Sequence, residues 1–326
     1  MQNVLLETVD VYKDYPLKRK ILFQKPEVVK AVRGVSFKIH SGETFGCVGE
    51  SGCGKSTLSR LLIMLEKPSR GAVLYKNQNI HRTKTREKQK IREKIQLVLQ
   101  DPYLSLPAWM KVGDIISDPL LIHEKRSTSK KAKYEKIIAL LKEVGLNKEA
   151  YDRYPLSFSA GQRQMINIVR AIILEPDLVI LDEAVSALDV SVQASILNLF
   201  SSLREKHNLT YMLIAHDIGV VRHMCDRIGV MYLGQFVELG GNENIFLNPL
   251  HPYTHALLSA VPTIEKGLNN DRIEILSGEV PSPINIPIGC TFASRCPKVM
   301  SICREQEPQM IEHIKDHFVH CHLYNR

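Results

Sequence analysis

Two short stretches carry residue types suited to phosphate chemistry. The first, GESGCGKST (Gly49–Thr57), fits the spacing G-x-x-x-x-G-K-[ST]. Its glycines let successive backbone N–H groups curl around phosphate oxygens, and a helix starting there adds positive potential at its N-terminus. In this pattern Gly49, Glu50, Ser51, Gly52, Cys53 and Gly54 form the cradle. Lys55 reaches the β- and γ-phosphates, and Ser56, followed by Thr57, offers its hydroxyl to Mg²⁺. The second stretch is LVILDE, ending at Glu183. A buried strand there delivers Asp182 to its C-terminal edge, where a carboxylate can hold the Mg²⁺ shell. Glu183 comes next and could orient or deprotonate an attacking water. An acidic pair at a strand end also caps whatever follows; its place downstream of a phosphate loop gives this pair its catalytic reading.

Such side chains must be positioned by regular elements, and the hydrophobic periodicity supplies them. Residues 31–48 alternate apolar and polar up to a Ser-Gly-Glu turn, then run apolar, which reads as a hairpin leading into a buried strand. KSTLSRLLIMLE is helical in period, IQLVLQ (95–100) is a strand, and YEKIIALLKEVGL (134–146) is a helix ending at Gly145. AGQRQMINIVRAIIL (160–174) is helical, DLVILDE (177–183) is a strand, and SVQASILNLFSSLREKH is helical. LTYMLIAHD is a strand and RIGVMYLGQFVELG alternates. Strands alternating with helices predict an α/β sheet with a parallel centre. Gly and Pro thicken after about residue 248, where a boundary is expected: 1–247 form one domain and 248–326 a small extension.

Composition narrows the function classes. The 326 residues are 44% apolar, enough for a sizeable core, and hold no run long enough to span a bilayer. The start lacks a basic-then-apolar leader layout, so the chain reads as soluble and intracellular. Its net charge of +8 is concentrated in HRTKTREKQKIREK (His81–Lys94) and HEKRSTSKKAKYEK (His123–Lys136). These read as solvated helix faces or insertions, because a nucleic-acid groove would interleave aromatics.

FSAGQRQ (Phe158–Gln164), ahead of LVILDEAVSALD and then IAHD, resembles the ATP-binding-cassette (ABC) ATPase family over about residues 4–245. The resemblance implies a P-loop NTPase (RecA-like) α/β core with an N-terminal antiparallel β subdomain and a helical signature subdomain over about 101–172. It assigns Gln100, in LQDPY, to the loop that senses the γ-phosphate, contributes to Mg²⁺ binding and touches a transmembrane partner. Ser159, Gly161 and Gln162 belong to the signature that completes the site of a second ATPase, in a head-to-tail dimer enclosing two nucleotides. Residues 186–189, SALD, are the D-loop, and His216 is the switch histidine. Tyr15 stands where an aromatic stacks on adenine, with Tyr12 as its competitor. Two departures stand out: Ala160 replaces the second position of the usual Ser-Gly-Gly, and Ala184 follows the glutamate where many relatives have proline. The first is tolerated if residue 160 lies in the first helical turn and strains the site if it needs positive φ.

Within that family, the opening VYKDYPLKRK…VVKAVRGVSF, the segment QDPYLSLPAWMKVGDIISDPL and NPLHPYTHALLSAVP (248–262) resemble oligopeptide, dipeptide and nickel importer ATPases. That implies an ATP-hydrolysing importer subunit, peripheral to the cytoplasmic face of the membrane. Its implied partners are a second, homologous ATPase, two permease subunits and, indirectly, an external binding protein. The insertion around Lys18–Lys30 resembles one member of the ATPase pair more than the other. The rivals are a soluble ABC ATPase acting on nucleic acid, a module without turnover, and importers of metal chelates or oligosaccharides. The first would want a coiled-coil or zinc insertion between loop and signature, and none is present.

Four of the seven cysteines, Cys290, Cys296, Cys303 and Cys321, sit in the tail with spacing C-x₅-C-x₆-C-x₁₇-C. Close C-x₂₋₄-C pairs that pinch one zinc are missing. Wide spacing suits a larger object, and four thiolates are the ligand set of a [4Fe–4S] cluster; the importer ATPases also resemble the chain here. Zinc is the alternative, including a mixed site with His313, His317, His320 or His322. Cys47, Cys53 and Cys225 read as core or loop residues, Cys225 on a helix and Cys53 as a candidate oxidation-sensitive thiol.

Overall fold

A computed structural model describes residues 3–17, 27–123, 129–259 and 278–325. The insertion at 18–26, part of the second basic run (124–128) and the end of the 248–262 stretch lie outside the described residues. The chain forms two compact units: one comprises residues up to Leu5, Ile39–Glu43 and Tyr75–Leu213, the other Leu6–Lys38, Thr44–Leu74 and Ile214 onwards.

In the first unit, strands Ile95–Val98 and Leu178–Asp182 pair in parallel, with Leu97 opposite Ile180. Leu178, Val179, Ile180 and Leu181 are all at most 1% exposed, the continuous burial expected of a strand covered on both faces. Helices Val112–His123, Lys130–Glu143, Ala160–Ile172 and Val190–His207 belong to this unit. Lys130–Glu143 starts on Ser129, whose side chain accepts the N–H of Ala132, and ends before Gly145 at φ +84°. The basic run at 81–94 is the helix Thr85–Lys94, which buries Ile91 alone, as a solvated face should.

In the second unit, strand Thr44–Val48 is buried at every position and pairs in parallel with Arg227–Tyr232. The latter turns back through Leu233 and Gly234 into Gln235–Gly241, antiparallel. The tail then extends this sheet. Strand His317–His320 pairs with Gln235–Gly241, setting Glu238 opposite Val319, and Met310–Ile314 pairs outside it. Strands Val28–His40, Val4–Pro16 and Arg70–Tyr75 lie side by side in the antiparallel β subdomain. The hairpin expected within residues 31–48 is therefore not formed. Val28–His40 is half exposed and joins one sheet, while Thr44–Val48 is fully buried and joins another. Alternating and continuous apolar patterns mark different sheet environments, and the turn between them links sheets. Cys225 caps the helix Ile218–Met224 rather than lying on it, and is buried with Cys47.

Candidate nucleotide site and cysteine segment

The phosphate loop bridges strand Thr44–Val48 and helix Lys55–Leu62. Gly49 (φ +156°) and Gly54 (φ +111°) are forced: a Cβ would sit 2.1 Å from the carbonyl oxygen of Met231 and 2.3 Å from that of Ala31, respectively. Lys55, 4% exposed, donates from Nζ to the carbonyls of Gly49 (2.7 Å) and Glu50 (3.0 Å), so its charge is held over the loop. Burial pushes the Cys53 thiol up despite Lys55 beside it, which works against the oxidation sensitivity its helix-start position suggested. Tyr15 donates to Glu66 and also lies within hydrogen-bonding reach of Thr57. Both candidate rings carry a cation: the guanidinium of Arg70 lies 3.7 Å from the ring centre of Tyr12, and the ammonium of Lys13 lies 4.9 Å from that of Tyr15.

Two contacts to this loop were not foreseen. The Tyr253 hydroxyl accepts the backbone N–H of Glu50 at 2.9 Å. Arg295, one residue before Cys296, donates two parallel bonds to the Glu50 carboxylate, at 2.8 and 3.0 Å. Neither residue has a spacing signal, because both approach from more than 200 positions away in sequence.

The acidic strand end and the signature meet within the other unit. Asp182 closes its strand; Glu183 then adopts φ +50°, unusual for a residue with a side chain. Ser186 ties off the turn, donating its N–H (3.1 Å) and hydroxyl (2.9 Å) to the Glu183 carbonyl. The amide of Gln100 donates to the Ser186 hydroxyl at 3.3 Å, bringing loop and turn together. Ser159 caps helix Ala160–Ile172 in a reciprocal box: it accepts the N–H of Gln162 at 3.3 Å, and the Gln162 side chain accepts the N–H of Ser159 at 3.1 Å. Ala160 is the first residue of that helix and is absent from the positive-φ residues, so the substitution at 160 is tolerated. At Gly161 a Cβ would stand 2.5 Å from Val192 Cγ1, so the Val192 side chain would have to shift to admit one. Gln164, also unforeseen, donates to the Ala184 carbonyl at 2.7 Å. His216, exposed, follows strand Thr210–Ala215.

The family model described as "ABC transporter" matches residues 32–186, and that described as "Oligopeptide/dipeptide transporter, C-terminal region" matches 237–303. The dipeptide transport ATP-binding protein DppF of Haemophilus influenzae is 49% identical, over 97% of this chain and 96% of its own. The oligopeptide transport ATP-binding protein AppF of Bacillus subtilis is 48% identical, over 99% of this chain and 98% of its own. The chain belongs to the oligopeptide/dipeptide branch of the ABC transporter ATP-binding proteins. Among solved structures, the ATP-binding cassette MJ0796, captured as a post-hydrolysis dimer with ADP and Pi, matches with a TM-score of 0.65 and 26% identity, covering 73% of this chain and 99% of that one. The cbiO1 protein of Clostridium perfringens matches with a TM-score of 0.65 and 25% identity, over 76% and 92%. As an ABC ATPase the chain binds ATP, the substrate for which the loop of Gly49–Thr57 is shaped.

Relative to this ATPase core, the branch-specific tail gathers its thiols. Cys290 donates its backbone N–H to the Cys303 carbonyl at 2.8 Å. Burial, then the charges of Cys303, Cys321 and Cys296, push the Cys290 thiol up to about 11. Burial likewise pushes Cys321 up to about 11, with Cys296 and Cys303 adding to it. The four thiols thus lie within electrostatic reach of one another, yet among the described residues no group of three or more Cys, His, Asp or Glu is placed to hold a metal ion. Three nearby histidines use a ring nitrogen elsewhere: His317 with Glu238 (2.8 Å), His320 with the Pro308 carbonyl and His322 with the Gln306 carbonyl (2.8 Å). His313 packs its ring on Tyr324. No helix among the described residues is long and apolar enough to cross a membrane.

Proposed function

We propose that this chain is the ATP-hydrolysing subunit of a membrane importer for oligopeptides or dipeptides, bound to the cytoplasmic face through two permease subunits. The observation that carries this reading is the joining, along one chain, of a phosphate loop and signature to the C-terminal region found in peptide-transport ATPases. Lys55 engages the β- and γ-phosphates, Ser56, Gln100 and Asp182 the Mg²⁺ shell, and Tyr15 the adenine. Glu183 positions or deprotonates the attacking water, and His216 contacts the γ-phosphate. Ser159, Gly161 and Gln162 act in trans, on the nucleotide of a second, homologous ATPase subunit. The capped helix supports that role, because it aims a positive N-terminus outward. Hydrolysis needs positioning and charge neutralisation more than covalent chemistry, which these groups supply. The domain division is 1–247 for the ATPase and 248–326 for the extension.

Cys290, Cys296, Cys303 and Cys321 are proposed to hold a [4Fe–4S] cluster. What supports the reading is donor chemistry: four thiols within electrostatic reach of one another are the ligand set such a cluster takes. Two experiments test these readings. In proteoliposomes holding both ATPases and both permeases, peptide-loaded binding protein should stimulate ATP turnover several-fold; stimulation by DNA instead would favour a nucleic-acid ATPase. Protein purified without oxygen should carry about four irons and four sulfides per chain. One zinc without iron would make the tail a zinc module.

A further inference from the structure

Glu50 places a carboxylate inside a sequence built to bind a triphosphate. A like charge there opposes nucleotide binding unless it is compensated. The compensation comes from the tail. Arg295, 8% exposed, clasps both Glu50 oxygens at 2.8 and 3.0 Å in the two-pronged geometry that only a guanidinium provides. The tail holds Arg295 firmly: its N–H donates to the Phe292 carbonyl at 3.0 Å, Phe292 is 1% exposed, and Phe292 packs edge-on against Tyr232 and Tyr253. Tyr253 in turn accepts the Glu50 N–H, so the same residue is gripped at backbone and side chain. All of these residues lie in one compact unit.

We propose that Arg295 is a positioning residue for the nucleotide site: by neutralising Glu50 it sets the ATP affinity of the phosphate loop, making the cysteine-bearing tail part of the nucleotide-binding apparatus. The inference rests on reading Gly49–Thr57 as the ATP loop. An exclusively structural ion pair would differ in one respect. Its loss would loosen the loop whatever the charge at residue 50, whereas loss of a neutralising partner is repaired by removing the charge it neutralised.

The experiment is ATP affinity of the full-length chain, by displacement of a fluorescent ATP analogue, with the nucleotide-free unfolding midpoint recorded in parallel. Arg295→Gln should weaken ATP binding about tenfold, the order expected for one uncompensated charge near the phosphates. Arg295→Gln combined with Glu50→Gln should return to within about twofold of the unaltered protein. Arg295→Lys, which keeps the charge and loses the fork, should fall between. A double variant as weak as Arg295→Gln, or an Arg295→Gln protein that binds ATP normally, overturns the proposal. Should Arg295→Gln not fold, Glu50→Gln alone decides: it should tighten ATP binding, and unchanged or weaker binding overturns the proposal. Lys55→Gln, run alongside, tests the loop itself, since it should abolish ATP binding whether or not Arg295 acts on Glu50.

Discussion

The side-chain amide of Gln164 donates to the backbone carbonyl of Ala184 at 2.7 Å, fixing the residue that follows Glu183 to the helix that Ser159 caps. Gln164 is fully buried, so this bond has no competing water. It fastens the signature helix to the turn that aims Glu183, itself held at φ +50°.

Gln164→Leu should therefore cost about 1–3 kcal/mol, because the Ala184 carbonyl loses a buried partner. It should also lower kcat for ATP while leaving KM nearly unchanged, since the bond supports Glu183 and not the phosphate loop. Denaturant unfolding and steady-state ATPase assays of the assembled complex measure the two effects.

Gly161→Ala should destabilise the chain by about 1–3 kcal/mol through overpacking, because the new Cβ meets Val192 Cγ1 at 2.5 Å. Adding Val192→Ala should recover most of the loss. Thermal unfolding of the single and double variants checks both statements, and an unrecovered double variant would place the clash elsewhere.

His251 is buried, and desolvation lowers it from its ordinary value of 6.5 to about 3. Its Nδ1 accepts the Tyr253 N–H at 3.0 Å, which requires the neutral ring. The folded state thus resists a proton that the unfolded chain takes up below about 6.5. This contribution is complete above that pH and falls by up to about 1.4 kcal/mol per pH unit towards pH 3. His251→Asn, which retains an acceptor, should give a shallower loss of stability between pH 6 and 4 (about one proton less). Urea unfolding across that range is the measurement.

Trp109 is 81% exposed and Leu104 87%, in the segment following Gln100. Large exposed apolar side chains in the segment after Gln100, the residue proposed to sense the γ-phosphate, fit the docking of a permease subunit, and buried aromatics dominate interface energies. Trp109→Ser should reduce co-purification with the permeases about tenfold while ATP affinity of the isolated chain stays unchanged. Equal co-purification would remove Trp109 from the interface.

The phosphate loop, the Leu178–Asp182 strand and the helix at 160 were legible because their signals are local. Glycines at fixed offsets, an apolar run and a capping serine each act within a few residues. The sheet assignment at residues 31–48 was not, since a turn joining two sheets carries the same residues as a hairpin turn. His317–His320 offered no strand pattern: its buried histidine is explained by Glu238, 79 positions away, which also accepts the N–H groups of Leu250 and His251. Arg295 was illegible for the same reason. Its role depends on a partner 245 residues distant, and the adjacent cysteine drew attention to metal chemistry instead.

The most direct test of the account is ATP turnover by the assembled complex carrying Glu183→Gln, measured beside ATP binding by the same protein. Binding should persist, because the phosphate loop is untouched, while turnover at this subunit's site should fall at least a hundredfold, as expected for loss of a general base. To read that site alone, the second, homologous ATPase of the proposed pair should carry the matching change in both the altered and the reference complex. Turnover equal to the reference would contradict the assignment of Glu183, and with it the claim that this chain hydrolyses ATP through the residues identified.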